Sequence, residues 1–488
     1  MIPASETQVL ERSSCGRVWV TVHSPEIRLG VGSNLRDALE LNWDFNGCST
    51  LPTQFSFTPY DMRCVAIALL RILLRNRKST LEYKMIRICE PVTNVYYLIC
   101  YLTIKFSTIF HSQIGLFDDR PASWNNMLAA FAVTSQEGHI VTNISVGDGA
   151  LPAGWQSSSG LKGPHCLWPW VGAGDANEIH SYNCLKIQPT WMEDNADRIN
   201  NLRIGELAIP GTHNAGAWRF DTEISTAGRD TFVLCQDRSI WAQLVHGIRY
   251  FDFRVAYYDF YPNTDDRYWL NHNLIRIRPL VPLLREIRAF LDQTREVMFL
   301  DAHHFPLGFY EQDGRPIRSV HLGLLAIIQR ELGPHLARAN EFGTGVGTRG
   351  PTVQTLLDGH RRLLFSYVDN AIVSENNWLW PILPHLWANT NSPTALLQYL
   401  DQTIASSPLP NARSPLFSAM AQTTPTVLDI LLLRGSLREN ADAVNRNVTS
   451  RLATRWRAQA NIVSTDFYLG NDVVDLSIAI SRERGSRL

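Results

Sequence analysis

From about residue 200 onward, short apolar runs alternate with helix-period patterns, and this alternation constrains the fold more than any other feature of the chain. "LAIP" reads as a strand ending at a Pro210-Gly211 turn signal. "SIWAQLVHG" reads as a short helix stopping at Gly247, and "IRYFDFRV" as the next strand. "VPLLREIRAFLDQT" places Leu284, Ile287 and Leu291 at helical spacing, and "EVMFLDAHHF" returns as a strand. "VHLGLLAIIQRELG", "VQTLLDG" and "HRRLLFSYVD" continue the pattern, and "NIVSTDFYL" is the last clear strand. No glycine-rich dinucleotide loop interrupts it. The expected class is therefore α/β, a TIM-type (β/α)8 barrel, regular or irregular, rather than an open doubly wound sheet.

The preceding residues read differently. "RVWVTVHS" and "GHIVTNISVG" alternate with the period of two that marks half-buried strands, and "LPAGWQSSSGLKGP" is a loop by composition. A smaller β-rich, sandwich-like domain is expected over residues 1–190, with the barrel over 195–480. Residues 48–112 stand apart. They hold no Gly and no Trp, four of the eight cysteines, and eight Lys/Arg against three Asp/Glu. Strand-like "LELNWDF" and "QIGLFDD" flank them. The segment closes on "FSTIFHSQ", whose Phe and Ser codons are pyrimidine-rich, as a translated splice acceptor would be. Two readings stand: a retained intron or gene-model error, and a genuine insertion with a buried helix at "CVAIALLRILL".

A net charge of −1 lacks the basic surplus that a nucleic-acid binder needs to neutralise phosphates, so no nucleic-acid partner is expected. No run of 18 uncharged apolar residues exists, so no transmembrane segment is expected. The first residues show no basic start followed by an apolar core, and no secretory signal is read there. None of the cysteines forms a C-x-x-C pair, which argues against zinc. Sequons at Asn143 and Asn447 leave the compartment open.

The chemistry concentrates at strand ends. His213 in "GTHNAG" is expected where a strand gives way to a loop, the place where catalytic groups gather in α/β barrels. Alternation in "HGIRYFDFRV" puts Asp252 and Arg254 on one face, with Phe251, Phe253 and Val255 on the other. That pair is either a structural ion pair or part of a binding site. His272 follows His213 by 59 residues, in "YWLNHNL". Two histidines and an arginine without a metal motif suit phosphodiester cleavage. One imidazole takes a proton from the nucleophile, the other returns one to the leaving oxygen, and the guanidinium balances charge on phosphorus.

Taken in order, "LAIPGTHNAG", "HGIRYFDFRV", "YWLNHNL" and "VMFLDAHHF" resemble the X domain of phosphatidylinositol-specific phospholipases C, above all the animal X-domain-containing proteins. The resemblance continues through "RRLLFSYVD", "GSLRENADAVNRNVTS" and "ANIVSTDFYLGNDVVDLSI", covering roughly residues 195–480; "QIGLFDD" and "WPWVGAG…SYNCL" look like the leading domain of arthropod members. It implies His213 as general base, His272 as general acid, and Asp252 with Arg254 as the pair that meets the phosphate. It further implies attack by the inositol 2-hydroxyl on phosphorus, releasing diacylglycerol and a cyclic inositol phosphate. Asp301 and His304 match a family strand near the site, and Asp466 matches a residue that orients the base. By strand parity His303 is expected to face away.

Two departures bear on activity. Asn214 stands where metal-independent members carry an aspartate that helps the acid, while Arg254 stands where calcium-dependent members need a carboxylate. The site is therefore expected to be metal-free, with no cofactor and no calcium requirement, and to have a weakened acid. Asn273 replaces a glycine usual after the second histidine. The expected function is a phosphodiesterase acting on phosphatidylinositol-type lipids at a membrane surface. A catalytically silent lipid- or inositol-phosphate-binding barrel is the alternative. A glycerophosphodiesterase or sphingomyelinase-like enzyme would need paired metal carboxylates, where "FDFR" offers one.

Overall fold

The alternating runs early in the chain become antiparallel strands. Arg17–Val22, Ala38–Asp44 and Glu137–Ser145 form one sheet with Ala38–Asp44 at its centre. A second sheet orders Arg12–Ser13, Ile179–Ile187, His165–Gly174, Gln113–Phe117 and Met127–Ala132. Val18, Leu39, Leu41 and Trp43 of the first sheet share one apolar cluster with Ile114, Leu116, Val171 and Ala173 of the second. The period-two alternation thus supplies both inner faces of a two-sheet packing. A disulfide joins Cys166 to Cys184 across adjacent strands.

The computed structural model describes residues 12–13, 17–22, 27–30, 33–35, 38–45, 82–86, 101–105, 113–145, 163–218, 230–342, 350–411 and 414–487. The helix expected at "CVAIALLRILL" and most of the loop at "LPAGWQSSSGLKGP" lie outside them. Within 48–112 the described residues are an antiparallel pair, Glu82–Ile86 with Tyr101–Lys105. The strands flanking that segment sit in facing sheets of the same core.

The second half is mixed α/β. Among the described residues, seven parallel strands run in chain order as β1 (Ile209–Thr212), β2 (Tyr250–Tyr257), β3 (Met298–His304), β4 (Leu363–Tyr367), β5 (His385–Leu386), β6 (Ser418–Ala421) and β7 (Ile462–Thr465). Their spatial order is β5-β6-β7-β1-β2-β3-β4. A hairpin of Tyr268–His272 and Ile275–Pro279 adds antiparallel to the end of β2. Between and around the strands run α1 (Ile240–His246), α2 (Leu280–Gln293), α3 (Arg318–Leu332), α4 (Pro393–Ser406), α5 (Val427–Leu431), α6 (Leu437–Ala453) and α7 (Val473–Gly485). The α1 start is capped by the Ser239 hydroxyl, which accepts from the Ala242 N–H, and Gly247 ends it at φ 112°, where only glycine is unstrained. Along α2, Leu284, Ile287 and Leu291 are buried as their spacing requires.

Two expectations are corrected here. No eight-stranded closed barrel is present among the described residues, because no ladder joins β4 to β5. Among the described residues, isolated bridges from Leu363 to Leu336 and from Ser366 to Trp380 lie on that edge of β4. The physical cause lies in "WPILPHL", where Pro381 and Pro384 remove two ladder donors and leave β5 only two residues long. The second correction is that Pro210-Gly211 is no turn but the middle of β1. A Cβ on Gly211 would sit 2.8 Å from both Ser464 Oγ and Tyr250 Cδ1. Glycine is there for close packing between β7 and β2.

Candidate active site

Parallel pairing in register carries the polar side chains of successive strands into one row. Asp252 on β2 pairs with Asp301 on β3, which pairs with Ser366 on β4. Thr212 on β1 pairs with Thr465 on β7, so the residues that follow, His213 and Asp466, leave their strands side by side. A cavity of about 480 Å³ opens at this end of the sheet. His213, Arg254, His272, His303, His304 and His385 line it.

The His213 backbone N–H donates to Thr465 O at 3.1 Å, and its carbonyl accepts from the Gln236 amide at 2.9 Å. Its ring Nδ1 lies 2.7 Å from Asp466 Oδ1, while Nε2 meets the Arg254 Nη2. A guanidinium has donors and no acceptor, so Nε2 must present its lone pair. The proton therefore sits on Nδ1, toward Asp466. This is the tautomer a general base requires, with the basic nitrogen facing the cavity.

Asp252 is fully buried behind this pair. Its Oδ2 accepts from the Asn214 N–H at 2.9 Å and lies 3.6 Å from Arg254 Nη2, while Oδ1 lies 2.6 Å from His303 Nδ1. Burial alone would raise its pKa; His303 and Arg254 outweigh that and hold the carboxyl well below the usual range. Phe251, Phe253 and Val255 point the other way into the core, as alternation requires.

His272 closes the opposite side. Its Nδ1 lies 2.8 Å from the Val233 carbonyl and donates to it, which turns Nε2 toward the cavity. Burial, with the nearby charges of Arg254 and His213, pushes its pKa down to about 3. A neutral imidazole at neutral pH follows. Asn214 has φ 40° and Asn273 φ 50°, both left-handed. Asparagine tolerates that conformation better than other side chains, which suits Asn273 to a position where the resemblance leads one to expect glycine. The Asn214 amide is buried, and neither Oδ1 nor Nδ2 has a hydrogen-bond partner.

His303 does not face away. Asp301 and His303 are two residues apart on β3 and share a face, so the parity that turns Asp301 inward turns His303 inward with it. His304, at the exposed strand end, also lines the cavity, and burial with the charges of Arg254 and His303 takes its pKa to about 4. Asp301 sits deeper. Its Oδ1 accepts from Ser366 Oγ at 2.6 Å, and its Oδ2 lies 2.7 Å from Tyr250 Oη and 2.8 Å from His385 Nε2. Burial opposes a charged His385, but Asp301 overcomes it and raises the pKa above the ordinary histidine value. His385 and Tyr250 were invisible in sequence. The first lies in "ILPHLW" with no motif around it, and its neighbour Asp301 is 84 residues away in the chain.

Among the described residues, two triads could offer ligands to a metal, their donor atoms within 4.8 Å of one another: His213, Cys235 and Asp466, and Asp301, His303 and His385. In both, the carboxylate is already bonded to a histidine of its own set. Calcium takes roughly six to eight oxygen donors. The Arg254 guanidinium stands 3.6 Å from Asp252, whose Oδ2 accepts the Asn214 N–H. A fixed cation beside Asp252 repels a second positive charge there.

With this geometry in view, the relatives are informative. No family model matches the chain. Against PI-PLC X domain-containing protein 2 of Mus musculus it is 28% identical over 320 residues, 59% of this chain and 86% of the relative. Against PI-PLC X domain-containing protein 3 of Homo sapiens it is 25% identical over 321 residues, 60% of this chain and 92% of the relative. Over about 60% of its length the chain resembles the PI-PLC X domain-containing proteins. Among solved structures, the phosphatidylinositol-specific phospholipase C from Listeria monocytogenes is 18% identical, covering 61% of this chain and 98% of its own, at a TM-score of 0.45. That of S. aureus is 12% identical, covering 60% and 97%, at 0.44.

Proposed function

We propose that the chain is a phosphatidylinositol-specific phospholipase C-like phosphodiesterase on an incompletely closed TIM-type barrel. The observation that carries this reading is the His213 ring held between Asp466 and Arg254, across one cavity from His272. A phosphodiester in the cavity takes the Arg254 guanidinium as its charge partner and frees His213 Nε2 for the inositol 2-hydroxyl. His213 removes the hydroxyl proton as oxygen attacks phosphorus. The bond from phosphorus to the diacylglycerol oxygen breaks, and His272, once protonated on Nε2 from solvent as the imidazolium, delivers that proton to the oxygen. Cyclic inositol phosphate and diacylglycerol leave. Asp466 fixes the base and Asp252 holds Arg254, while Asp301 and His304 belong to the surrounding shell. Calcium takes no part.

A silent binding protein is the second reading, favoured by one observation: His272 is neutral in the free site and Asn214 supplies no carboxylate to change that. Hydrolysis of phosphatidylinositol in excess chelator, followed by release of cyclic inositol phosphate, decides between them. Turnover supports the enzyme; saturable binding of inositol phosphate without turnover supports the silent protein.

A further inference from the structure

The β1–β7 ladder ends at Thr212 and Thr465, with one further rung from the His213 N–H to Thr465 O. His213 and Asp466 leave their strands there, and the buried His213 carbonyl needs a donor from elsewhere. Gln236 supplies it. Its Nε2 donates to His213 O and to Thr465 O, each at 2.9 Å, and its Oε1 accepts the Tyr468 N–H at 3.3 Å. Both amide hydrogens and the carbonyl oxygen are therefore used. The side chain is fully buried and is not among those that line the cavity.

The backbone around Gln236 is tied to the same groups. The Cys235 and Gln236 N–H groups donate to Ala217 O at 2.8 and 3.0 Å, which fixes this stretch against the loop after β1. Cys235 O accepts the Phe467 N–H at 2.8 Å, directly after Asp466, where Phe467 takes a left-handed φ of 47°. A bulky residue keeps that conformation only where its surroundings impose it. Val233 O receives the His272 Nδ1 proton at 2.8 Å. Residues 233–236 thus hold the backbone of the base, the turn that carries its carboxylate, and the ring of the acid. Of these contacts, the two amide bonds of Gln236 alone join the His213 and Asp466 strands through a side chain that a substitution can remove.

We propose that Gln236 is a positioning residue for the general base: its amide clips the ends of β1 and β7 together and so sets the contact between His213 Nδ1 and Asp466. The kinetic consequence rests on the phosphodiesterase reading; the geometry does not. The test compares full-length wild type with Gln236→Met, which keeps the length of the side chain and removes both donors. Turnover is measured on phosphatidylinositol in mixed detergent micelles and on a water-soluble aryl inositol phosphodiester. The kcat should fall about tenfold to a hundredfold on both, because the base serves both, while KM stays near the wild-type value. In an Asp466→Asn background the same substitution should cost little further, since the contact that Gln236 sets is already lost. Equal fractional losses in the two backgrounds would assign Gln236 to the fold alone and overturn the proposal. So would a folded Gln236→Met with wild-type kcat. If Gln236→Met does not fold, Gln236→Glu carries the same comparison, with the shape of the amide and at most one donor. A second readout is independent of turnover. The downfield proton resonance of His213 Nδ1–H, identified by its loss in His213→Ala, should shift or broaden in the Gln236 variant. An unshifted resonance overturns the positioning. A shifted one, in a protein whose wild type turns over neither substrate, upholds the positioning and overturns the enzyme.

Discussion

Asp466 Oδ1 lies 2.7 Å from Nδ1 of His213, two residues 253 positions apart that leave adjacent parallel strands side by side. Because Arg254 occupies the other ring nitrogen, this contact decides the tautomer. Asp466→Asn should therefore lower turnover of phosphatidylinositol while leaving KM little changed, since it misorients the base without touching the cavity. The loss should reach about a hundredfold, within the usual worth of acid–base catalysis. Equal kcat for the variant and wild type would show that Asp466 has no part in setting the base.

His213→Ala and His272→Ala should each remove about a hundredfold to ten-thousandfold of turnover, because each deletes one proton carrier. Circular dichroism should report an intact fold in both. Near wild-type rates from either folded variant would refute the acid–base pair.

The depressed His272 pKa has a signed consequence. With a value of about 3, its protonated fraction at neutral pH is small and grows about tenfold for each unit that pH falls. Diacylglycerol needs that proton to leave; an aryl alcohol does not. The ratio of rates on diacylglycerol and aryl esters should rise as pH falls, a ratio in which effects on the base cancel. Asn214→Asp should raise the same ratio at neutral pH. The Asn214 N–H already bonds Asp252, whose charge favours protonated His272, and a second carboxylate would add to it. A ratio flat in both experiments would show that the acid does not limit the reaction.

Chelator should leave the rate unchanged, and added calcium should not increase it, because Arg254 supplies the positive charge beside Asp252. Activity lost in chelator and restored by calcium would overturn this assignment.

Stability should depend on a pair remote from the cavity. Arg249 and Glu296 are both fully buried, with nitrogen to oxygen at 2.7 Å. Glu296 also accepts the Met192 and Glu193 N–H groups, tying the segment before β1 to the sheet. Glu296→Ala should lower the unfolding free energy by about 3–5 kcal/mol in a denaturant titration, because it strands a buried guanidinium.

What the chain determines locally was legible in its order of residues. Apolar spacing placed α2 and α3, Gly247 marked the end of α1, and alternation assigned Asp252 and Arg254 to one face of β2. His213, His272, Arg254 and Asp466 were legible through their motifs, and the structure gathers them at one end of the sheet. The rest depended on packing. His303 was misassigned because a strand position was judged alone, when Asp301 two residues earlier already set the face. His385 and Tyr250 belong to the Asp301 network only because β5 and β2 converge on β3, and no pattern within either strand encodes that. The seam between β4 and β5 was likewise hidden, since it arises where two prolines remove ladder donors from a strand that still looks apolar. Periodicity reports how one segment presents its faces to its surroundings. Which polar groups meet, and where a ladder fails to close, is decided only when distant strands compete for the same hydrogen bonds and the same buried space.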